Sequence, residues 1–182
     1  EQANFHNMLY NLREDLIKCP KLLLYTEYEL KAPTPDELSV FDGLDTSSDE
    51  ALLNGLCNII SIGTDPLRTN LAKETLPAFL KNLSGEAMLD TAKTLIVWMN
   101  RCLGSEAYRM DHTEIPVLMY YGNITPTAIT FLHFMSRLGI DVLYICSNLT
   151  GLTALKQNNL FAQKYGVLFF NSFNVVMNHF MY

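Results

Sequence analysis

The chain has 182 residues, of which 49% are hydrophobic and 18% are charged. This mixture can bury a core and argues against wholesale disorder. The net charge is -6, and an acidic chain without a basic stripe binds phosphate backbones poorly, so we expect no nucleic-acid partner. No uncharged apolar run of about 18 residues occurs, so we also expect no membrane span.

Cysteine usage points to a reducing compartment. Disulfide scaffolds and zinc sites both need clustered cysteines, and no Cys-x-x-Cys pair occurs in this chain. We therefore predict free thiols, a cytoplasmic location and no metal site. The chain begins at Glu1 rather than at methionine, and we interpret it as a piece of a longer protein. The four cysteines are Cys19, Cys57, Cys102 and Cys146.

The first region, residues 1–110, is predicted to be mainly helical. Apolar residues at helical spacing predict a first helix over 3–18, which Pro20 ends. The acidic segment from Glu27 to Glu50 contains two prolines and is predicted to be a solvated loop with one helical turn at most. Further helices are predicted from Ser48 or Asp49 to Ile60, over 69–83 with Pro77 as an obstacle, and over 86–103.

The second region, residues 111–182, is predicted to be a Rossmann-like part of a larger domain. The continuous apolar runs 115–121 and 140–146 are typical of buried parallel strands. Between them, Thr125 and Pro126 begin a predicted helix to about 138, which is too long for a hairpin connection and predicts a parallel crossover. A helix over 152–164, a third strand over 167–170 and an apolar stretch over 173–182 packed on the sheet complete an α/β fold.

The carboxyl ends of parallel strands are the expected place for a ligand. Two loops begin there, and both carry small hydrogen-bonding side chains. A helix N-terminus follows the first loop and can hold a phosphate or a carboxylate. The alternative is that the first loop only forms a tight turn and a helix cap. The candidate ligand-binding residues are Tyr121, Gly122, Asn123 and Thr125 in the first loop, and Ser147, Asn148 and Thr150 in the second.

Several common sites are excluded by their missing residues. Gly122 stands alone where a dinucleotide fingerprint needs three glycines, and Cys146 and Ser147 occupy the place of the acidic residue that would hold a ribose. A phosphate-binding GxxxxGK[ST] loop is absent, as are the GxSxG and HExxH motifs. His133 lies beside an apolar helical stripe and is predicted to be a packed or surface histidine. The cofactor and any catalytic residue therefore stay unknown.

The stretch IPVLMYYGNITPTAITFLHFMSRLGIDVLYICSNLT, residues 115–150, resembles the YceG-like family. The resembling features are a strand that ends in Tyr-Tyr-Gly, a helix with Phe-Leu and Leu-Gly, and a second strand followed by a polar loop. The resemblance implies a component of a bacterial biosynthetic module that is associated with tellurite and toxic-anion resistance and with stress-response partners. It assigns no catalytic residue. The chain departs from the family at 146–148, where we expect a turn containing Pro or Asp.

Three functional hypotheses follow. The first is an enzyme-like domain that binds a phosphorylated small molecule, such as a nucleotide or sugar nucleotide, with Thr125 at the phosphate and Ser147 and Asn148 at the sugar or base. The second is a non-catalytic interaction domain of a stress-response complex, which docks partners through its apolar C-terminal stretch. The third, a metal or tellurium-oxyanion binder, rests on the family context alone. The sequence specifies neither the substrate and reaction nor the oligomeric state.

Overall fold

The structure is a computed structural model. It describes residues 30–63, 65–104, 116–121, 124–146, 165–170 and 173–178, together with Leu22–Leu23 and positions 7, 10, 11 and 14. The predicted helix over 152–164 lies outside these residues, as does nearly all of the predicted helix over 3–18. Of positions 22–23, 121, 145–146, 165–170 and 173–178, only the backbone is described.

A five-stranded mixed sheet is assembled from the second region and one short strand of the first. The strands are β1 (Leu22–Leu23), β2 (Val117–Tyr121), β3 (Asp141–Cys146), β4 (Tyr165–Phe170) and β5 (Phe173–Asn178). Their order across the sheet is β1-β2-β3-β5-β4. β1, β2 and β3 are mutually parallel, whereas β5 runs antiparallel to both β3 and β4.

The predicted parallel crossover between β2 and β3 is confirmed. The later strand pairings, β3 with β5 and β4 with β5, are antiparallel. β2 and β3 pair in parallel register on either side of one helix, as expected. The third predicted strand is present as β4, and the apolar stretch after it joins the sheet as β5. These two strands form an antiparallel hairpin because Phe170 lies opposite Phe173, and a parallel crossover needs a dozen or more residues. The fold is therefore mixed α/β and mostly helical rather than an all-parallel sheet.

Five α-helices occur within the described part of the chain. Four begin behind a side-chain cap or a proline, which explains why their starts follow the sequence closely. The helix predicted over 69–83 starts at Pro66 rather than at 69, because Asp65 caps it and Pro66 occupies its first position. The helices are α1 (Pro35–Leu38), α2 (Asp49–Ile59), α3 (Pro66–Leu80), α4 (Gly85–Leu103) and α5 (Pro126–Arg137).

Pro77 lies inside α3 without ending it. A proline has no N–H group, so the carbonyl of Lys73, four residues earlier, loses its usual helical partner. The thiol of Cys57 on α2 donates to this carbonyl, with a distance of 3.6 Å between Sγ and O. Burial raises the pKa of the Cys57 thiol, which keeps the donating proton in place. The obstacle predicted at Pro77 is therefore compensated by a contact from the neighbouring helix.

The helices form a layered core on the sheet. α3 and α4 pack against α5, and α5 packs against β3. Trp98 of α4 meets Phe131 of α5 edge to face, with ring centroids 5.4 Å apart. Both rings are buried, Phe131 completely, so α5 is fixed between the helical layer and the sheet. No helix in the described ranges is both long and apolar enough to cross a membrane.

Arg101 of α4 anchors the acidic segment that the sequence predicts to be solvated. Its Nε lies 2.6 Å from Oε1 of Glu37, and its Nη2 lies 2.6 Å from the other carboxylate oxygen. The same guanidinium donates to the carbonyls of Lys31 and Ala32, and Trp98 Nε1 also donates to Lys31. The single predicted helical turn is present as α1, and this bidentate pair holds it against α4.

We expect the Glu37 carboxylate to make a pH-dependent contribution to the free energy of unfolding. Its hydrogen bonds from Arg101, followed by those from Thr34, lower the pKa of Glu37 from 4.5 to about 2. The stabilisation is therefore complete above pH 4.5 and is lost as the pH falls towards 2. Because the side chain is 31% exposed, we expect Glu37→Gln to cost only about 1 kcal/mol at pH 7.

Urea unfolding followed by circular dichroism at pH 7, 4 and 2 measures this difference. Wild type and Glu37→Gln should converge at pH 2. The control is Asp36→Asn, which removes a neighbouring charge on α1 without breaking the pair. A Glu37→Gln deficit that is unchanged at pH 2 contradicts the ion-pair explanation.

Candidate ligand-binding edge of the sheet

The carboxyl ends of β2 and β3 lie side by side. The two strands stay in register along their shared length, and Tyr121, the last residue of β2, lies opposite Ile145. Cys146 then ends β3. The two loops that the sequence predicts to form a site therefore leave the sheet from adjacent positions at the same edge.

Thr125 caps α5 immediately beyond β2. Its backbone is extended, and its Oγ1 accepts a hydrogen bond of 3.1 Å from the N–H of Ala128. Pro126 occupies the first helical position and brings no N–H group. The exposed N–H of Thr127 is the next donor in line, so this helix start offers an anion fewer backbone donors than a helix without proline.

The Thr125 hydroxyl retains a function beyond the cap. A threonine oxygen that accepts one hydrogen bond can still donate its own proton. Thr125 is exposed, so that proton can reach a phosphate or carboxylate oxygen outside the helix. The cap and the ligand contact, which the sequence presents as alternatives, are chemically compatible at this residue.

The chain enters α5 at a fixed angle. Ile124, directly before the cap, packs against the core, and Ile129, four positions after the cap, is buried. These are the two positions of a hydrophobic staple. The orientation of the helix start relative to β2 is therefore set by packing.

Two tyrosines lie inside the sheet just before this edge. Tyr120 and Tyr144 occupy paired positions on β2 and β3, and their rings stack with centroids 5.7 Å apart. Both are almost fully buried. Tyr120 therefore belongs to the packed interior next to this edge.

The other predicted site residues are not all described. Tyr121 is placed by its backbone, at the end of β2. Gly122, Asn123, Ser147, Asn148 and Thr150 lie outside the described residues, so only Thr125 is placed with its side chain. Their role as ligand-binding residues remains a prediction.

The hairpin adds residues to this edge that the sequence reading did not include. Asn174 near the start of β5 lies opposite Cys146 of β3 and Phe169 of β4. Because β5 is antiparallel to β3, its beginning lies beside the end of β3. Two apolar runs separated by two polar residues are the sequence signal that would have predicted this turn.

Metal-ligating clusters are absent from the described ranges, where no group of three His, Cys, Asp or Glu side chains converges. Cys57 is half-buried and Cys102 is buried, and neither forms a disulfide bond. The prediction that the cysteines form no disulfide therefore holds for these two residues.

The sequence pattern of the YceG domain matches residues 78–168, which is half of the chain. The chain belongs to the YceG domain family. Searches of curated proteins and of solved structures found no match.

The sheet edge lies within the range that matches the YceG domain. The matched range runs from the end of α3 into β4 and includes α4, β2, α5 and β3. All seven predicted ligand-binding residues fall inside it. Asn174 lies after the matched range, so its place at the edge is a feature of this chain's own structure.

A second concave surface of this YceG chain lies away from the sheet edge. His133 of α5 packs on Phe79 of α3, with ring centroids 4.9 Å apart, which confirms the prediction of a packed histidine. Burial lowers the pKa of His133, and the Arg137 guanidinium lowers it further. An open groove of about 730 Å³ surrounds this contact.

Proposed function

We propose that this YceG domain binds a phosphorylated small molecule, such as a nucleotide or sugar nucleotide, at the carboxyl edge of its sheet. The observation that carries the proposal is the parallel register that ends with Tyr121 beside Ile145, followed directly by the exposed cap of α5. Ligands of this kind bind beyond the carboxyl ends of parallel strands, and β2 and β3 are such a pair.

The proposed contacts follow from the chemistry of the edge. The hydroxyl of Thr125 and the N–H of Thr127 meet one phosphate oxygen each, and the partial positive charge of the helix start favours the anion. Ser147 and Asn148 orient the sugar or base from the second loop. Catalytic groups are not assigned, and group transfer is the reaction class suggested by analogy with similar folds.

Substitutions at Thr125 separate ligand binding from helix capping. Aspartate and serine both cap a helix well, but a carboxylate at this position repels a phosphate. We therefore expect Thr125→Asp to keep the fold and to weaken binding by about tenfold or more, and Thr125→Ser to bind within about threefold of wild type. The measurement is isothermal titration calorimetry with ADP, UDP and UDP-glucose, after a thermal-shift screen.

The matched control is Thr94→Asp, which adds the same charge on α4. It should leave the affinity for each probe unchanged. The proposal fails if wild type gains no thermal stability from any of these probes at millimolar concentration. It also fails if Thr125→Asp binds as tightly as Thr94→Asp.

The family context supports a place in a bacterial biosynthetic module linked to tellurite resistance and stress response. This placement is part of the proposal and rests on the family resemblance. The second candidate is a non-catalytic interaction domain of a stress-response complex. It is favoured by an exposed leucine on α3, Leu67, which is 50% accessible.

A further inference from the structure

The groove between α3 and α5 has a lining unlike that of the sheet edge. α3 contributes Leu71, Glu74 and Ala78, and α5 contributes His133 and Arg137. Apolar surface makes up most of this lining, with one carboxylate and one guanidinium among the polar groups. The groove is open to solvent along its length between the two helices.

An apolar stripe on α3 extends the groove towards the start of the helix. Leu67, Leu71 and Ala78 are spaced at four and seven residues, which places them on one face of α3. Leu67 is 50% exposed, although most large hydrophobic side chains in the described ranges are buried. Leu71 also packs against the core, so Leu67 and the apolar part of the groove lining are the surface on which a partner can pack.

The two charges of the groove do not satisfy each other. Among the described residues, Glu74 and Arg137 take part in no ion pair and lie farther than 4.0 Å from each other. They nevertheless line the same groove. Both side chains are exposed, and a partner that presents a cation to Glu74 and an anion to Arg137 would form two ion pairs in this groove.

A second copy of this chain meets that requirement without any further assumption. In a two-fold interface, a residue that contacts another across the axis is contacted in return by its counterpart. Glu74 of one copy then faces Arg137 of the other, and the reverse pair forms on the opposite side of the axis. The apolar stripes of the two α3 helices are buried between the two ion pairs.

We propose that the α3–α5 groove is a two-fold interface between two copies of this chain, with reciprocal Glu74–Arg137 pairs. This inference is independent of the ligand proposed at the sheet edge, because the two surfaces share no residue. It assigns Leu67 and Leu71 as the apolar contacts of the dimer.

Charge reversal tests the interface, with the dissociation constant measured by sedimentation equilibrium. In the Glu74→Arg variant, two guanidinium groups face each other at both pairs of the interface. In the Arg137→Glu variant, two carboxylates face each other at both pairs. Each single variant should weaken dimerisation by about tenfold or more, and the double variant Glu74→Arg/Arg137→Glu should return to within about threefold of wild type.

The control is Glu50→Arg, an exposed charge reversal on α2, which should dimerise like wild type. Circular dichroism verifies that every variant is folded. The proposal is overturned if wild type is monomeric up to about 0.2 mM. It is also overturned if the single variants dimerise as wild type does, or if the double variant stays as weak as the singles.

Discussion

Asp65→Ala should lower the free energy of unfolding by about 3–5 kcal/mol, because it leaves a buried guanidinium without its carboxylate. Asp65 and Arg68 form an ion pair with 2.6 Å between Oδ2 and Nη1, and their side chains are only 3% and 6% exposed. The other carboxylate oxygen of Asp65 caps α3 by accepting from the N–H of Arg68. Alanine removes both interactions at once.

A double variant separates the charge from the cap. Asp65→Ser/Arg68→Met keeps a capping oxygen and fills the space of the guanidinium with an apolar chain of similar length. It should unfold within about 1–2 kcal/mol of wild type, since replacing a whole buried pair is far less costly than breaking it. Urea unfolding monitored by circular dichroism gives both values. Equal losses in the two variants would show that charge burial is not the cause.

Phe131→Ala should destabilise the protein by about 3–5 kcal/mol, since it empties a fully buried site. The ring meets Trp98 edge to face in the seam between α4 and α5, so alanine removes both the buried area and the aromatic pair. Because α5 also carries Thr125, a loosened helix should weaken ligand binding at the sheet edge as well.

Phe131→Leu is the matched comparison, since leucine refills most of the volume. We expect a loss of about 1–1.5 kcal/mol. Val40→Ala, at an exposed site, should change stability by about 0.5 kcal/mol or less. Thermal and urea unfolding of the three variants provide the test. A loss for Phe131→Ala as small as that for Val40→Ala would mean that α5 does not pack there.

Helix positions were predictable because their signals are local. Ser48 caps the start of α2, and Gly104 follows the last residue of α4. The apolar face predicted over 86–103 is the buried face of α4. The parallel pairing of β2 and β3 was also predictable, because a helix of this length between two apolar strands requires a crossover. The start of α3 lies three residues before the predicted start at 69, because Asp65 caps the helix and Pro66 occupies its first position.

Other features depend on contacts between distant positions, which a single sequence does not encode visibly. Glu37 and Arg101 are 64 positions apart in the sequence, so the anchoring of the acidic segment had no local signal. The antiparallel β5 was missed as a strand because its apolar residues also suit a helix or a docking tail. At the site, the capping of α5 by Thr125 was predictable from its neighbour Pro126, whereas the approach of Asn174 to Cys146 was not.

The pairing of β1 with β2 has a consequence for synthesis on the ribosome. Leu22 finds its partner in Val117, roughly a hundred residues later, which corresponds to about 5–20 s of translation at usual rates. During this time the helices between them emerge and can form first from local contacts. β1 therefore stays unpaired until β2 has been synthesised. The pairing of β1 with β2 is then a late event in folding.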